Sequence, residues 1–434
     1  MASTAPPLPS EDAEGVSVSV SDTELLGVAE AAPGVGDLEA ALRPAWVDVD
    51  LEALERNLAA IRAKLPPDTR TMAVVKADAY GHGAVGVSRA LAAAGVDWLG
   101  VALLEEGAEI RRAGIEIPIL VLGTARPAKI ALYRRYRLTP AVSSMSELAL
   151  WRDWTAGDAG GTTPQPVHLK VNTGMARLGV AMEEVPQALE ILRRSPNLVL
   201  AGLLSHFADA DDLASPRNDL QGERFAEVLG LLTGEERGRI EIHMANSAAT
   251  LYNAGSRHTL VRLGIAVYGL DPAERPGQPP HRQAEGLEPV MSVKARIVQL
   301  REVPAGTPLS YGGRTVTRRR SRIAVVPVGY ADGYAWRLTG KAEALVRGRR
   351  VPIAGSVTMD MTLLDVTDTG ATLGEEVVLM GRQGDEEITA LELAAHAGTI
   401  SWEILCHLGL RLPRRYLRGG EVLELLSRFS REEG

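Results

Sequence analysis

Eight short apolar runs end near Val75, Val101, Leu122, Val142, Val171, Leu204, Ile242 and Leu263, with helical stretches between them. Runs of that kind read as strands buried on both faces, the pattern of a parallel sheet covered by helices. Repeated strand–helix units fit a (β/α)8 barrel, although periodicity alone leaves an open doubly wound sheet as the alternative. The apolar share is carried by Ala, Leu, Val and Gly, with only 4% aromatics, which suits helices packed on such a sheet. Ahead of the first run, Leu51, Leu54, Leu58, Ile61 and Leu65 recur at helical spacing. Asp50 stands where a helix cap belongs, and Pro66-Pro67 ends the segment.

The texture changes after a linker rich in Pro, Gly and charge, roughly 271–288. Beyond it, 293–303, 322–328, 344–353, 361–366 and 376–380 read as short strands between Gly and Pro turns, with one helix near 389–397. The expected division is a disordered tail over 1–42, an α/β barrel over 43–285 and a mostly-β domain over 286–434. The tail is rich in Ala, Pro, Ser, Gly and acids and shows no sustained period. A net charge of −8 disfavours nucleic acid and anionic membrane as partners. No run is long enough for a transmembrane helix, and the N-terminus lacks a basic-then-apolar signal pattern. With Cys406 the only cysteine, no internal disulfide can form, and the cytoplasm is the simplest expected location.

Barrel enzymes place their chemistry after the C-terminal ends of the strands. The first run gives AVVKADAYGHG, which sets Lys76 at a buried strand end, followed by Tyr80. An ammonium there is costly unless it is paired or its pKa falls. Two readings stay open: a salt-bridged lysine in the barrel mouth, or an amine that forms a Schiff base with an aldehyde. HLKVNTGMARLGV brings Lys170 and Arg177 close together, and two such cations call for an anion. LLSHF places His206 at another strand end, ANSAAT places Ser247 at a helix start, and VRLGIAVYG places Arg262 before Gly264 and Ile265. Turns and helix starts expose N–H groups that suit phosphate. In the β domain, SYGG, PVGYADGY and GSVTMDM present Tyr311, Tyr330, Met359 and Asp360 on loops. Taken singly, each is better explained as a turn residue.

Taken in order, these segments resemble the alanine racemase family, and AVVKADAYGHG resembles its lysine signature for pyridoxal phosphate (PLP). The resemblance runs from about Arg43 to the C-terminus. It implies a PLP enzyme that interconverts L- and D-alanine by a two-base mechanism and supplies D-alanine for peptidoglycan. It also implies a head-to-tail homodimer with shared active sites. By resemblance Lys76 carries PLP and is one base; Tyr311 from the partner is the other. Tyr80, Ser247, Gly264 and Ile265 surround the phosphate, and Tyr330 reaches the site from the partner. Arg262 faces the pyridine nitrogen and His206 orients it. Arg177 contacts the cofactor and the substrate carboxylate, Met359 helps bind that carboxylate, and Asp360 supports it. Lys170 matches a lysine that is often carbamylated.

The sequence departs from the family pattern at Asn172, Thr358, Leu410 and Trp402, none of which removes a catalytic group. Thr358 and Leu410 bear on substrate breadth, and Asn172 on the setting of Lys170. Three rival readings are a racemase for another small amino acid such as serine, a PLP decarboxylase, and a single-domain PLP-binding protein. Arg262 opposite the pyridine nitrogen disfavours the decarboxylase. An Arg cannot accept a proton, so the nitrogen stays unprotonated and the electron sink is weaker. The β domain with Tyr311 disfavours the single-domain protein.

Overall fold

A computed structural model describes residues 42–126, 129–157 and 163–427. The tail expected over 1–42 lies almost wholly outside the described residues. The first strand, β1 (Ala45–Asp50), leads into helix α1 (Leu51–Arg62). Asp50 caps that helix by accepting from the Ala53 N–H at 2.9 Å. Leu51, Leu54, Leu58 and Ile61 form its buried face, as their spacing predicts.

Eight parallel strands follow: β2 (Arg70–Val74), β3 (Trp98–Val101), β4 (Ile119–Val121), β5 (Thr139–Val142), β6 (Gln165–Lys170), β7 (Leu198–Leu204), β8 (Glu241–His243) and β9 (Leu260–Leu263). Hydrogen-bonded neighbours run β8-β7-β6-β5-β4-β3-β2-β9. The gap between β8 and β9 is bridged by Arg262 N–H to Ala245 O at 3.0 Å and by Ile242 N–H to Thr259 Oγ1 at 2.7 Å. The ring is therefore a nearly closed barrel, not an open sheet, and this decides between the two readings the periodicity allowed. Met72, Leu120, Ala141, Leu204 and Leu260 form an apolar cluster of their own, apart from the main core that the helices share.

The remaining strands build a mostly-β region. An eight-stranded sheet centres on Met291–Arg296, with Glu376–Gln383 and the hairpin Glu343–Val346/Arg349–Pro352 on one side. On the other side of Met291–Arg296 lie β1, Arg414–Arg418 and Glu421–Leu426. A three-stranded sheet joins Gln299–Val303, Ser321–Val326 and Thr362–Asp365.

Four details differ from the expectation. β1 pairs antiparallel with Met291–Arg296 and parallel with Arg414–Arg418, so the segment from 43 to 50 joins the C-terminal sheet and not the barrel. The cause is in its polar side: Asp48 is buried and binds Lys294 at 3.2 Å and Arg415 at 2.7 Å. The run 293–303 is two strands in two sheets, and 344–353 is a hairpin. Arg347 and Gly348 turn that hairpin at φ 54° and 67°, the geometry a tight two-residue loop requires. The helix expected near 389–397 is Ala390–Ala397, capped by Thr389, and a second, Ser401–His407, follows it.

Candidate active site

Lys76 lies two residues past the end of β2, and the chain then does something unusual. Ala77, Asp78, Ala79 and Tyr80 all lie at φ 53–54°, a left-handed turn built without glycine. That conformation costs about 1–2 kcal/mol per residue, so neighbours must hold it in place. Glu106 accepts from the Ala77 N–H at 2.7 Å, and Asp78 accepts from Ala84 N–H at 2.7 Å. His82 Nδ1 lies 2.9 and 3.0 Å from the Ala79 and Tyr80 carbonyls and so carries the proton that donates to them. Arg414 donates twice to the Gly81 carbonyl, at 3.1 and 2.9 Å. Gly81 itself must be glycine: a Cβ there would sit 2.2 Å from the Leu405 carbonyl oxygen of helix Ser401–His407.

The turn aims Tyr80. A Cβ added at Gly264 would lie 2.8 Å from the Tyr80 hydroxyl and 3.6 Å from Ser247 Oγ. Ser247 Oγ accepts from the N–H groups of Gly264 at 2.8 Å and Ala266 at 3.3 Å. Ile265 lies between those two residues and is buried. Two hydroxyls and a bare glycine backbone thus converge just past β9, leaving a cradle that any side chain at 264 would fill.

Arg262, near the end of β9, is only 3% exposed. Its terminal nitrogens meet five acceptors: the carbonyls of His243, Ser205 and Met244 at 3.1, 2.7 and 2.9 Å, His243 Nδ1 at 2.8 Å and His206 Nδ1 at 2.9 Å. Nε takes part in none of these bonds. Burial lowers its pKa to about 9, still above neutrality, and five acceptors keep the charge in place. His206 accepts from Arg262 and is therefore neutral. Burial first, then Arg262, pushes its pKa well down.

Lys170 ends β6 and is buried. Burial, then Arg262, Arg177 and Lys76, lowers its pKa to about 8. Burial and Arg177 also lower that of Lys76, against the opposing carboxylate of Glu106. Arg177 is exposed on the loop after β6. Asn172 shapes that loop by accepting from Gly174 and Ala176 N–H groups at 3.2 and 3.0 Å, and it makes no bond to Lys170. Four cations around one mouth form a site for anions. Among the described residues no cluster suits a metal ion.

Nine of the residues singled out by sequence therefore meet at one end of the barrel: Lys76, Tyr80, Lys170, Arg177, His206, Ser247, Arg262, Gly264 and Ile265. Tyr311, Tyr330 and Met359 do not join them through any hydrogen bond, ion pair or ring contact among the described residues. They lie on the β region with Tyr311 78%, Tyr330 44% and Met359 52% exposed. Tyr330 N–H donates to Thr358 O at 2.9 Å and Ala331 N–H to Met359 O at 3.0 Å, so two of the three are backbone neighbours. Asp360 accepts from Arg411 at 2.6 Å.

Residues 49–272 match the family model described as alanine racemase, N-terminal domain, and residues 290–416 match the alanine racemase C-terminal domain. The chain belongs to the alanine racemase family. An alanine racemase from a Nostoc species is 41% identical over 85% of this chain and 95% of its own length. The crystal structure of alanine racemase from Bacillus anthracis with bound L-Ala-P is 38% identical, with a TM-score of 0.81 over 90% of this chain and 99% of that one. The Bartonella henselae alanine racemase with covalently bound pyridoxal phosphate is 29% identical, with a TM-score of 0.75 over 86% and 99%. The family match begins at residue 49, inside β1, so the strand that crosses into the C-terminal sheet starts outside it.

The sequence offers little to single out His168 and His243, both fully buried beside this group. One signal is available. His168 and Lys170 are two residues apart in β6, and alternate residues of a strand share a face.

Proposed function

We propose that this protein interconverts L- and D-alanine with PLP held on Lys76, in the cytoplasm, as a head-to-tail homodimer that supplies D-alanine for peptidoglycan. The observation that carries the reading is Arg262, whose Nε is left over after five protein acceptors engage its other nitrogens. An amine, a cradle of hydroxyls and backbone N–H groups, and a fixed cation match PLP's aldehyde, phosphate and ring nitrogen. When bound, PLP supplies the electron sink that makes the α-proton of an amino acid removable.

The rest falls to side chains of this chain. Lys76 would hold the cofactor, and its free amine would take or return the α-proton on one face, a role that its lowered pKa favours. Tyr80, Ser247 and the backbone at Gly264 and Ile265 bind the phosphate. Arg262 would face the ring nitrogen, with His206 orienting the guanidinium. Arg177 and the Met359 backbone bind the substrate carboxylate, with Asp360 in support. Tyr311 from the partner subunit handles the proton on the opposite face, and Tyr330 lines the approach. Lys170, carbamylated, would turn from a cation into an anion and hold Arg177.

Incubating the PLP-loaded protein with L-alanine in deuterium oxide tests this. D-alanine carrying α-deuterium is expected, with L-serine turning over far more slowly. No exchange with either substrate, despite bound cofactor, overturns the racemase reading. Lys76→Ala is expected to abolish both the cofactor's visible absorbance and racemisation, whereas Tyr311→Phe should slow proton transfer and leave cofactor binding intact.

A further inference from the structure

Behind Arg262, away from the cradle, a line of polar contacts runs into the barrel. Arg262 Nη1 lies 2.8 Å from His243 Nδ1, and His243 Nε2 lies 2.9 Å from His168 Nδ1. Both histidines are fully buried. His168 Nε2 has no hydrogen-bond partner. We propose that His168 and His243 form a relay of fixed tautomers that holds the Arg262 guanidinium in place, with His168 as a positioning residue two hydrogen bonds away.

The direction of the relay follows from Arg262 alone. A guanidinium nitrogen only donates, so His243 Nδ1 must accept. A neutral His243 then carries its proton on Nε2 and donates it to His168 Nδ1. His168 must in turn carry its proton on Nε2, the atom left without a partner. An unpaired buried donor costs about 1–3 kcal/mol, yet every alternative is worse. Reversing either tautomer sets two N–H groups against each other, and protonating either ring puts a second buried charge beside Arg262. Burial first, then Arg262, keeps His168 neutral, lowering its pKa to about 3; the same two causes push His243 well down.

The barrel is shaped to keep the rings where they are. A Cβ at Gly202 would lie 2.4–2.6 Å from the His168 ring, so only glycine leaves room for it. Trp98 packs edge-on at 5.2 Å on another side. An apolar pair would remove the orphaned His168 donor only by taking the His243 Nδ1 acceptor away from Arg262 Nη1, so the polar pair serves Arg262. It fixes the plane of the guanidinium and, with it, the direction of Nε.

The tautomers can be tested without cofactor or substrate. In apoprotein labelled with 15N-histidine, long-range 1H–15N correlations should show protonated Nε2 and bare Nδ1 for both rings across roughly pH 6–8, where free histidine titrates. An Nδ1-protonated form, or titration of either ring, overturns the relay. Its effect on turnover rests on the racemase reading, and wild-type racemisation is the control that separates the two. His168→Leu deprives His243 Nε2–H of its acceptor. It should lower kcat about tenfold, the equivalent of one unpaired buried donor, with KM little changed and the PLP absorbance spectrum shifted. His168→Gln, which can offer a carbonyl oxygen, should restore most of the loss. A Leu variant with wild-type kcat and spectrum, or a Gln variant no better than Leu, overturns the positioning role. If neither variant folds, the wild-type tautomers decide the matter.

Discussion

Lys170 sits 7% exposed with Lys76, Arg177 and Arg262 around it and, among the described residues, no acceptor bound to its ammonium. Its pKa falls from 10.5 to about 8, chiefly through burial. Between those two values the unfolded chain binds more protons at this position than the folded one, so the residue's contribution to stability rises with pH across that window. Below pH ~8 the charged form is present in both states and the full penalty of burying it applies, at about 1.4 kcal/mol for each tenfold change in its proton affinity. Urea unfolding of apoprotein in carbon dioxide-free buffer should therefore show wild type gaining on Lys170→Met as pH rises from about 8 to 10.5. A flat difference would mean that the charge is balanced by some other group. The same lowered pKa supplies the neutral amine that a carbamate requires. At this scale the sequence was legible where a charged or hydroxyl side chain ends an apolar run, as at Lys76, Ser247 and Arg262. His168 and His243 escaped because a lone histidine within a strand looks like core, and only their partners across the barrel give them meaning.

The turn from Ala77 to Tyr80 is the element that aims the Tyr80 hydroxyl at Gly264, and no propensity in ADAY suggests a left-handed path. The surrounding acceptors and donors impose it: Glu106, Asp78, His82 and Arg414. Because Ala77 is exposed, substitution there tests the backbone with little packing at stake. Ala77→Gly should raise stability by up to about 1 kcal/mol, the relief of left-handed strain less the entropy glycine adds to the unfolded chain. Ala77→Val should destabilise, since a β-branched residue is a true outlier at that φ. Equal melting temperatures for the two variants would show that the turn is not strained. The same contrast explains what else was readable. The eight barrel strands and α1 follow from local period and capping, so their ends fall close to the apolar runs. The placement of β1 and of helix Ser401–His407 depends on partners hundreds of residues away, such as Arg415 against Asp48, and no local pattern encodes that.

On the scale of the whole molecule, the proposed mechanism gives Lys76 one face of the α-carbon and needs a second base on the opposite face. The candidate, Tyr311, is 78% exposed and, among the described residues, has no bond to the barrel mouth. Met359 and Met361 are exposed too, at 52% and 46%, and large apolar side chains in that number favour a covered face over an open one. A head-to-tail pair would bring Tyr311 of each subunit to the other's Lys76, and mixed dimers can test that arrangement. Lys76→Ala and Tyr311→Phe homodimers each lack one base at both sites and should be nearly inactive. A heterodimer of the two has one site with neither base and one site with both, because the intact lysine and the intact tyrosine come from different chains. Random exchange makes half the dimers mixed, so about a quarter of wild-type activity should return on unfolding and refolding the variants together. If both bases came from a single chain, mixing would restore nothing.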